Sequence, residues 1–299
     1  MISVIMPCFR EDETVLRKAI ESILNQTYSD FELIIILDDP KNELLYRTVS
    51  EYRENDKRIR FYINKKNYGI TKTLNRALSF AVGDYIARMD ADDISKVTRL
   101  EKQLNFIEKH NLDLIGCDYE VIDNDGNFLY VNHNPITDKK IKSVLQYRNC
   151  IAHPTYFARR HVFKILKGYV EIEACEDYHF LLRAVMHNFR LGNLPDVGLS
   201  YRLSQNGISR KKEVKQEVIA DYLRNNLDNI VDMNNDVVNR YLESDLGVYN
   251  IEQMNEYIYY RNRIKNGNYF NVMRIINNKY AKLYLQNVIK DKLFSCAAM

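Results

Sequence analysis

DYIARMDADD, residues 84–93, is the stretch that decides the fold. A run of strand-forming residues ends in a group of carboxylates, Asp90, Asp92 and Asp93. Two carboxylates one residue apart at a strand end can hold a divalent cation against a diphosphate. The stretch therefore predicts a buried strand whose carboxyl end carries the chemistry of the protein.

The same spacing recurs at Asp123-Asn124-Asp125, so the triplet alone has little specificity. This second triplet lies beside Gly126, in a sequence of turn-forming residues that predicts a hairpin. The first triplet ends an apolar strand and precedes a long helical pattern. Position therefore favours the first triplet as the functional one.

Upstream of residue 84, short β-branched runs alternate with helical patterns, which is typical of a parallel sheet covered by helices. Residues 2–6 form the first predicted strand, which we expect Pro7 to end. ELIIIL, residues 32–37, predicts a central strand buried on both sides, and IRFYI, residues 59–63, predicts a third strand. Loops after such strands should meet in one crevice beyond their carboxyl ends.

Downstream, the helical pattern at residues 98–110 is followed by another strand and the hairpin, so the sheet becomes mixed. From about Lys211 the sequence changes to charged, tyrosine-rich helical patterns without strand signals. We therefore predict an α/β domain over residues 1–210 and a helical C-terminal region over residues 211–299.

Composition narrows the classes of function. The net charge of the 299 residues is only +3, which gives no general attraction to nucleic acid. The cysteines are too scattered for a zinc site and fit a reduced, cytoplasmic setting. The apolar start lacks a basic leader, and no run approaches the roughly 20 apolar residues of a membrane-spanning helix. The cysteines are Cys8, Cys117, Cys150, Cys175 and Cys296.

Several segments, read in order, resemble the family 2 glycosyltransferases of the GT-A fold. They are SVIMPCFRE (3–11), AIESILNQTYSDFELIIILDD (19–39), NYGITKTLNRAL (67–78), GDYIARMDADD (83–93) and CEDYHFLLRA (175–184). The resemblance covers roughly residues 1–210. It implies a mixed, mainly parallel Rossmann-like sheet with flanking helices. It also implies an inverting hexosyl- or N-acetylhexosaminyl-transferase that moves a sugar from a nucleotide-diphosphate sugar to a hydroxyl of a glycan or lipid-linked saccharide.

By this resemblance, Pro7, Phe9 and Glu11 line the nucleoside pocket, with Phe9 against the base and Glu11 near the ribose. The alternative is that Phe9 is core and Glu11 an acid at a helix N-terminus. Asp39 corresponds to an aspartate that accepts a hydrogen bond from uracil, so a UDP-sugar is the favoured donor. Here Asp39 is followed by Pro40 rather than the family's usual glycine, and one aspartate could instead cap the next helix.

The resemblance places the donor diphosphate against Asn67, Gly69 and the helix start at Lys72, where backbone N–H groups and a cation favour anions. A solvated surface lysine is the alternative for Lys72. Arg202, with Ser209, resembles the segment whose basic group approaches the same diphosphate.

Metal ligation, by Mn²⁺ or Mg²⁺, falls on Asp92 and Asp90, with Asp90 also touching the donor and Asp93 supporting the pair. Asp177 resembles the general base that removes the acceptor proton; the alternative is a helix cap. His153 resembles a residue on the acceptor side, although a lone histidine is as often structural.

The segment from Glu256 to Leu293 is basic and rich in tyrosine. Such a surface suits an anionic membrane, and a protein that acts on lipid-linked polysaccharide would sit at the inner face of the plasma membrane. The alternative is a solvated helix with core tyrosines. A competing function is a non-catalytic nucleotide-sugar-binding or scaffold protein. A sugar nucleotidyltransferase would need a glycine-rich basic first loop that the sequence lacks.

Overall fold

The computed structural model describes residues 1–203, 212–265 and 278–286, with Ile264 and Lys265 described by their backbone alone. The chain divides into two compact units. The first comprises Met1–Glu171 and Glu176–Gly207, and the second comprises Ile172–Cys175 and Ile208–Met299. The predicted boundary at residue 210 falls among residues 204–211, outside the described part of the chain, and stays a prediction.

The first unit is built on one mixed sheet, in the order β3-β2-β1-β4-β8-β6-β9-β5, with β7 paired to β6. Strands β1 to β4 run parallel to one another, whereas β8 is antiparallel to both β4 and β6. The strands in the described residues are β1 Ile2–Cys8, β2 Phe31–Leu37, β3 Ile59–Ile63, β4 Tyr85–Arg88, β5 Ile94–Ser95, β6 Leu114–Ile122, β7 Phe128–Asn132, β8 Phe157–Arg159 and β9 Leu191–Arg202. The predicted strands and the hairpin are confirmed, whereas β5, β8 and β9 were not predicted.

Helices flank the sheet, as predicted. They are α1 Glu13–Leu24, α2 Glu43–Asn55, α3 Ile70–Phe80, α4 Arg99–Lys109, α5 Asp138–Leu145, α6 Arg160–Ile165 and α7 Glu176–Met186. Asp12 begins α1, because its carboxylate accepts from the N–H groups of Thr14 and Val15. The apolar stripe of α1 packs on the sheet.

The core lies around β1 and β2, whose residues are buried along the whole of each strand. This is the burial expected of central parallel strands, which helices cover on both faces. Each fully buried isoleucine or leucine there stabilises the fold by about 1.5–3 kcal/mol. The rigid centre of the sheet therefore positions the loops that follow β1, β2 and β4.

The prediction that Pro7 ends the first strand is wrong. β1 continues to Cys8 and pairs with β2 along its whole length, whereas β4 pairs only with Ile2–Ile5. The carbonyl of Ile5 points to the β4 side, and backbone directions alternate along a strand. The nitrogen of Pro7 therefore also faces the β4 side, but beyond the last residue that pairs with β4. Its missing N–H thus interrupts no hydrogen-bond ladder.

The second unit is helical in its described residues. Its helices are α8 Glu213–Arg224, α9 Asn235–Glu243 and α10 Asp245–Lys265, and residues 279–286 are also helical. Lys279 donates to the buried Asp221 at 2.8 Å, which ties the last helical segment to α8. The predicted C-terminal helices are confirmed. Much of the predicted membrane-facing segment, residues 256–293, lies outside the described residues, and none of the described helices could span a membrane.

Candidate active site

The strand order brings the functional loops together. β1 lies between β2 and β4. The chain goes from β1 to β2 on one side and later returns to β4 on the other side, which opens a crevice at the carboxyl ends of these strands. Asp90, Asp92 and Asp93 follow β4 there, and one carboxylate oxygen of each lies within 4.8 Å of the others. We call these three residues the aspartate cluster. The predicted metal ligands are therefore close enough to share one ion.

The electrostatics of the aspartate cluster favour a cation. Burial raises the pKa of Asp92 to about 7, and the neighbouring Asp90 and Glu11 carboxylates add to the rise. Burial and the same kind of repulsion raise the pKa of Asp93, whose Oδ2 is buried without a hydrogen-bond partner in the described residues. Oxygen ligands of this kind suit Mn²⁺ or Mg²⁺, so the cluster fits the predicted metal.

Arg88 is the positive charge that the protein itself supplies to this cluster. Its guanidinium contacts the Asp90 carboxylate, and its side chain is only 5% exposed. Arg99, which is fully buried in α4, donates to the backbone carbonyl of Arg88 at 2.8 Å. Arg88 was missed from the sequence, because an arginine within a strand is ordinarily expected to be exposed to solvent.

Arg202 holds the loop of the aspartate cluster in place. Its Nε donates to the carbonyl of Asp92 at 2.9 Å, and its Nη1 donates to the carbonyls of Asp123 and Asn124 at 3.1 and 2.8 Å. Its own N–H donates to Asp93 at 2.8 Å. Arg202 is buried, so these bonds satisfy much of the hydrogen-bonding capacity of its guanidinium. Contact with a diphosphate stays a prediction, and Ser209 lies outside the described residues.

Phe9 and Asp39 lie on either side of Arg10. The Arg10 guanidinium lies 4.7 Å from the centre of the Phe9 ring, and its Nε donates to Asp39 at 2.9 Å. This bond, with the N–H of Lys41, lowers the pKa of Asp39. Asn42 caps α2, so the alternative role of an aspartate as that cap is wrong. Phe9 and Asp39 thus both contact Arg10, and their roles in a nucleoside pocket stay predictions.

Glu11 stabilises the turn after β1. Its carboxylate accepts from the N–H of Phe9 at 2.7 Å and from the Cys8 thiol at 3.1 Å. Asp12 rather than Glu11 caps α1, so the alternative role of Glu11 as the acid at that helix start is not what the structure shows. Burial raises the pKa of Glu11. Pro7 is buried within β1, and ligand contacts of Pro7 and Glu11 stay predictions.

Asp38, not Asp39, organises the loop before α3. Its carboxylate accepts from the N–H groups of Tyr68 and Gly69 at 2.9 and 2.8 Å. Asn67 also accepts from the N–H of Gly69, whose φ of +82° suits glycine. This corrects the expectation that these N–H groups face a phosphate, because both already have an anionic partner. Direct donor contacts of Asn67 and Gly69 stay predictions.

Lys72 extends from the first turn of α3. Its Nζ lies 3.1 Å from Glu171, and its side chain is 56% exposed. An exposed pair of this kind is worth at most about 1 kcal/mol, so the side chain can be drawn to another anion at little cost. The structure is therefore compatible with both the phosphate contact and the solvated lysine that the sequence left open.

Asp177 lies in the first turn of α7, in the same unit as the aspartate cluster. Asn149 donates to its Oδ2 at 2.9 Å, and the N–H of Tyr178 donates to its Oδ1 at 2.7 Å. Burial raises the pKa of Asp177, while the Tyr178 bond and Arg88 oppose the rise. The carboxylate is thus held in one orientation and made more basic than an ordinary aspartate, as a general base requires.

His153 is buried, and its Nε2 lies 3.0 Å from the Tyr169 hydroxyl. Burial, helped by the charge of Arg88, lowers the pKa of His153 well below its usual value. A neutral, buried and paired histidine matches the structural alternative. Contact with an acceptor stays a prediction.

Comparison with known proteins identifies a family. The model described as Glycosyl transferase family 2 matches residues 3–166. WbnJ, an O-antigen biosynthesis glycosyltransferase of Escherichia coli, is 36% identical over 228 residues, which make up 74% of this chain and 85% of the relative. WfgD of Escherichia coli is 30% identical over 247 residues, 80% of this chain and 92% of the relative. WfgD is named a UDP-Glc:alpha-D-GlcNAc-diphosphoundecaprenol beta-1,3-glucosyltransferase.

A solved structure shows the same fold. The mannosyltransferase PcManGT from Pyrobaculum calidifontis, in complex with GDP-Man and Mn²⁺, matches with a TM-score of 0.59. The match covers 85% of this chain and 73% of that chain at 15% sequence identity. Together with the family match, it confirms the predicted GT-A fold.

Proposed function

The chain belongs to glycosyl transferase family 2, and from this premise we propose that it transfers a sugar from a UDP-sugar, with inversion, to a hydroxyl of a lipid-linked saccharide or growing glycan. The observation that carries the proposal is the pairing of two acidic sites in one unit. One is the aspartate cluster, which suits a cation, and the other is Asp177, which Asn149 holds in one orientation.

A UDP-sugar donor is supported by the first two loops. Phe9 offers a ring face to a base, and Asp39 offers a carboxylate on the other side of Arg10. WfgD is named for a UDP-sugar, whereas PcManGT binds GDP-Man, so the fold serves more than one nucleoside. The choice of uridine therefore rests on Phe9 and Asp39, which both contact Arg10.

A divalent metal is supported by the aspartate cluster, where Asp92 and Asp90 would hold the ion and Asp93 would support the pair. Bound there, a divalent cation would act as a Lewis acid that offsets the charge of the departing diphosphate. Arg202 keeps the loop of these aspartates in place through the carbonyl of Asp92. PcManGT contains Mn²⁺ in its crystal structure.

Inversion by one displacement needs one general base, and the oriented carboxylate of Asp177 supports that role. In the proposed reaction Asp177 accepts the proton of the acceptor hydroxyl as its oxygen bonds to the anomeric carbon, while the bond from that carbon to the diphosphate breaks. Asn149 keeps Oδ2 oriented during this step. One displacement from an α-linked donor gives a β-linked product.

The test is the substitution Asp177→Asn, assayed with UDP-glucose and other nucleotide sugars, Mn²⁺, and a synthetic α-GlcNAc diphosphate with a phenoxyundecyl tail. We expect kcat to fall by about 10²–10⁴-fold, the contribution of a general base. Calorimetry should show unchanged binding of UDP with Mn²⁺, because Asp177 is not among the donor-binding residues. Asp196→Asn is the matched control, since Asp196 is a half-exposed acid paired with Lys102.

Full activity of the Asp177→Asn variant would exclude Asp177 as the base. If the unaltered protein binds UDP with Mn²⁺ but neither transfers nor hydrolyses any donor, the proposed activity fails. The non-catalytic nucleotide-sugar-binding protein would then be the better account.

A further inference from the structure

Three tyrosines share one face of the sheet beside the aspartate cluster. Val121 on β6 lies opposite Tyr201 on β9 and opposite Tyr130 on β7. Tyr119 lies two residues before Val121 on β6. Directly opposed residues and residues two apart project from the same face of a sheet. We call Tyr119, Tyr130 and Tyr201 the tyrosine face.

The tyrosine face begins at the aspartate cluster. Tyr201 lies between Ser200, which pairs with Ile94, and Arg202, whose N–H donates to Asp93, so it stands beside the cluster. Burial raises the pKa of Tyr201, and the carboxylates of the cluster add to the rise. The ring centres of Tyr201 and Tyr119 are 5.8 Å apart. Burial raises the pKa of Tyr119 to about 12, and Tyr130 adds to that rise. The three side chains therefore form a continuous path outward from the cluster.

Exposure increases along the path. Tyr201 and Tyr119 are half-buried, whereas Tyr130 is 53% exposed on β7. Tyrosine combines an aromatic ring face, which attracts the slightly positive C–H groups of a pyranose, with a hydroxyl that can donate or accept a hydrogen bond. A row of such side chains suits a ligand that is apolar on its ring faces and rich in hydroxyl groups at its edges. A saccharide has this chemistry.

We propose that the tyrosine face binds the acceptor saccharide, with the Tyr130 ring stacked on a sugar beyond the one that receives the transferred residue. The proposal rests on the proposed function, since it assigns the acceptor of the same reaction. A second copy of this chain is the competing occupant, because β7 lies off the main strand order and carries exposed apolar side chains. Continuity with the aspartate cluster favours the saccharide.

The experiment compares Tyr130→Ala, Tyr130→Phe and Val131→Ala in steady-state kinetics with the α-GlcNAc diphosphate acceptor described above. Val131 is the matched control, because it is the next residue on the same strand and lies opposite Glu120, on the other face. We expect the acceptor KM to rise about tenfold in Tyr130→Ala, as a lost ring contact of about 1.4 kcal/mol implies. Tyr130→Phe should retain most affinity, and the donor KM should stay unchanged in all variants.

An unchanged acceptor KM in Tyr130→Ala, with normal turnover by the unaltered protein, would overturn this inference and leave the proposed function standing. An equal rise in Val131→Ala would also overturn it, since the effect would then belong to the strand rather than to one face. Gel filtration that shows loss of self-association in Tyr130→Ala without a change in KM would assign the face to a second copy. If the unaltered protein transfers no sugar, the proposed function and this inference both fail.

Discussion

Two D-x-D triplets of this chain have the same spacing and opposite environments. Asp90 and Asp92 lie at the end of a buried strand, where burial and neighbouring carboxylates raise the pKa of Asp92 to about 7. Asp123, in the hairpin, accepts from the N–H of Asn127 at 2.8 Å and from its side chain at 3.0 Å. These bonds lower the pKa of Asp123.

The two environments show which D-x-D triplet is able to bind an ion. In the hairpin, backbone and side-chain donors already satisfy the carboxylate of Asp123. This carboxylate closes the turn and has little capacity left to coordinate an ion. In the aspartate cluster, like charges are held together with Arg88 as their nearby cation, and an added cation would relieve the repulsion. Ion binding therefore depends on the negative charge that the fold leaves uncompensated, not on the spacing of the two aspartates in the sequence.

Of the changes to the two triplets and to Arg202, we expect the largest effect from removing one carboxylate charge from a triplet. Asp92→Asn should lower kcat by about 10²–10³-fold, the usual loss for one group that stabilises transition-state charge, and should weaken Mn²⁺ binding. Asp125→Asn, the matched change in the hairpin, should leave both unchanged. The measurements are turnover at saturating donor and Mn²⁺ titration by calorimetry. Equal losses in the two variants would break the comparison.

The next effect concerns Arg202, which joins the two triplets through the carbonyls of Asp92, Asp123 and Asn124. Arg202→Gln removes these hydrogen bonds from a buried, charged donor, so the free energy of unfolding should fall by about 1–3 kcal/mol. Urea denaturation measures it, with Arg47→Gln as a control that removes an exposed ion pair. Unchanged stability with a raised donor KM would instead favour the predicted diphosphate contact of Arg202.

The third effect is on the pH dependence of stability. Burial, with Asp177 nearby, raises the pKa of Glu176 from 4.5 to about 7, so between these values the folded chain binds more protons than the unfolded chain. Its contribution to the free energy of unfolding should therefore fall as pH rises from 4.5 to 7, by at most about 1.4 kcal/mol per pH unit. Asp123 has the opposite sign, because its lowered pKa stabilises the fold at higher pH.

Urea denaturation at several pH values in chelator, with and without Glu176→Gln, tests this sign. The variant should show a shallower downward slope than the unaltered protein over this range, because other carboxyl groups with a raised pKa, such as Asp92, keep their share. Glu43→Gln on the surface of α2 is the matched control, because Glu43 is 82% exposed. Parallel curves for the Glu176→Gln variant and the unaltered protein would show that Glu176 is not proton-bound in the fold.

Local sequence was sufficient for the strands of the first half and the helices that flank them, because their signals are local. Six of the seven positions in β2 are apolar and need cover on both faces wherever they fold, and the apolar stripe of α1 needs a sheet to pack on. Pro7 misled the prediction because its effect depends on whether a neighbouring strand needs its N–H. That neighbour, β4, lies far along the chain.

The sequence by itself determined the order of the elements, the family resemblance and the acidic residues after each strand, since these depend on composition and short-range periodicity. Tertiary structure alone decided that Asp38 binds the N–H groups of Tyr68 and Gly69, that Arg88 and Arg202 support the aspartate cluster, and that the tyrosine face is continuous. The physical reason is that burial, charge compensation and alignment across strands arise from residues distant in sequence, which only the folded chain brings into contact.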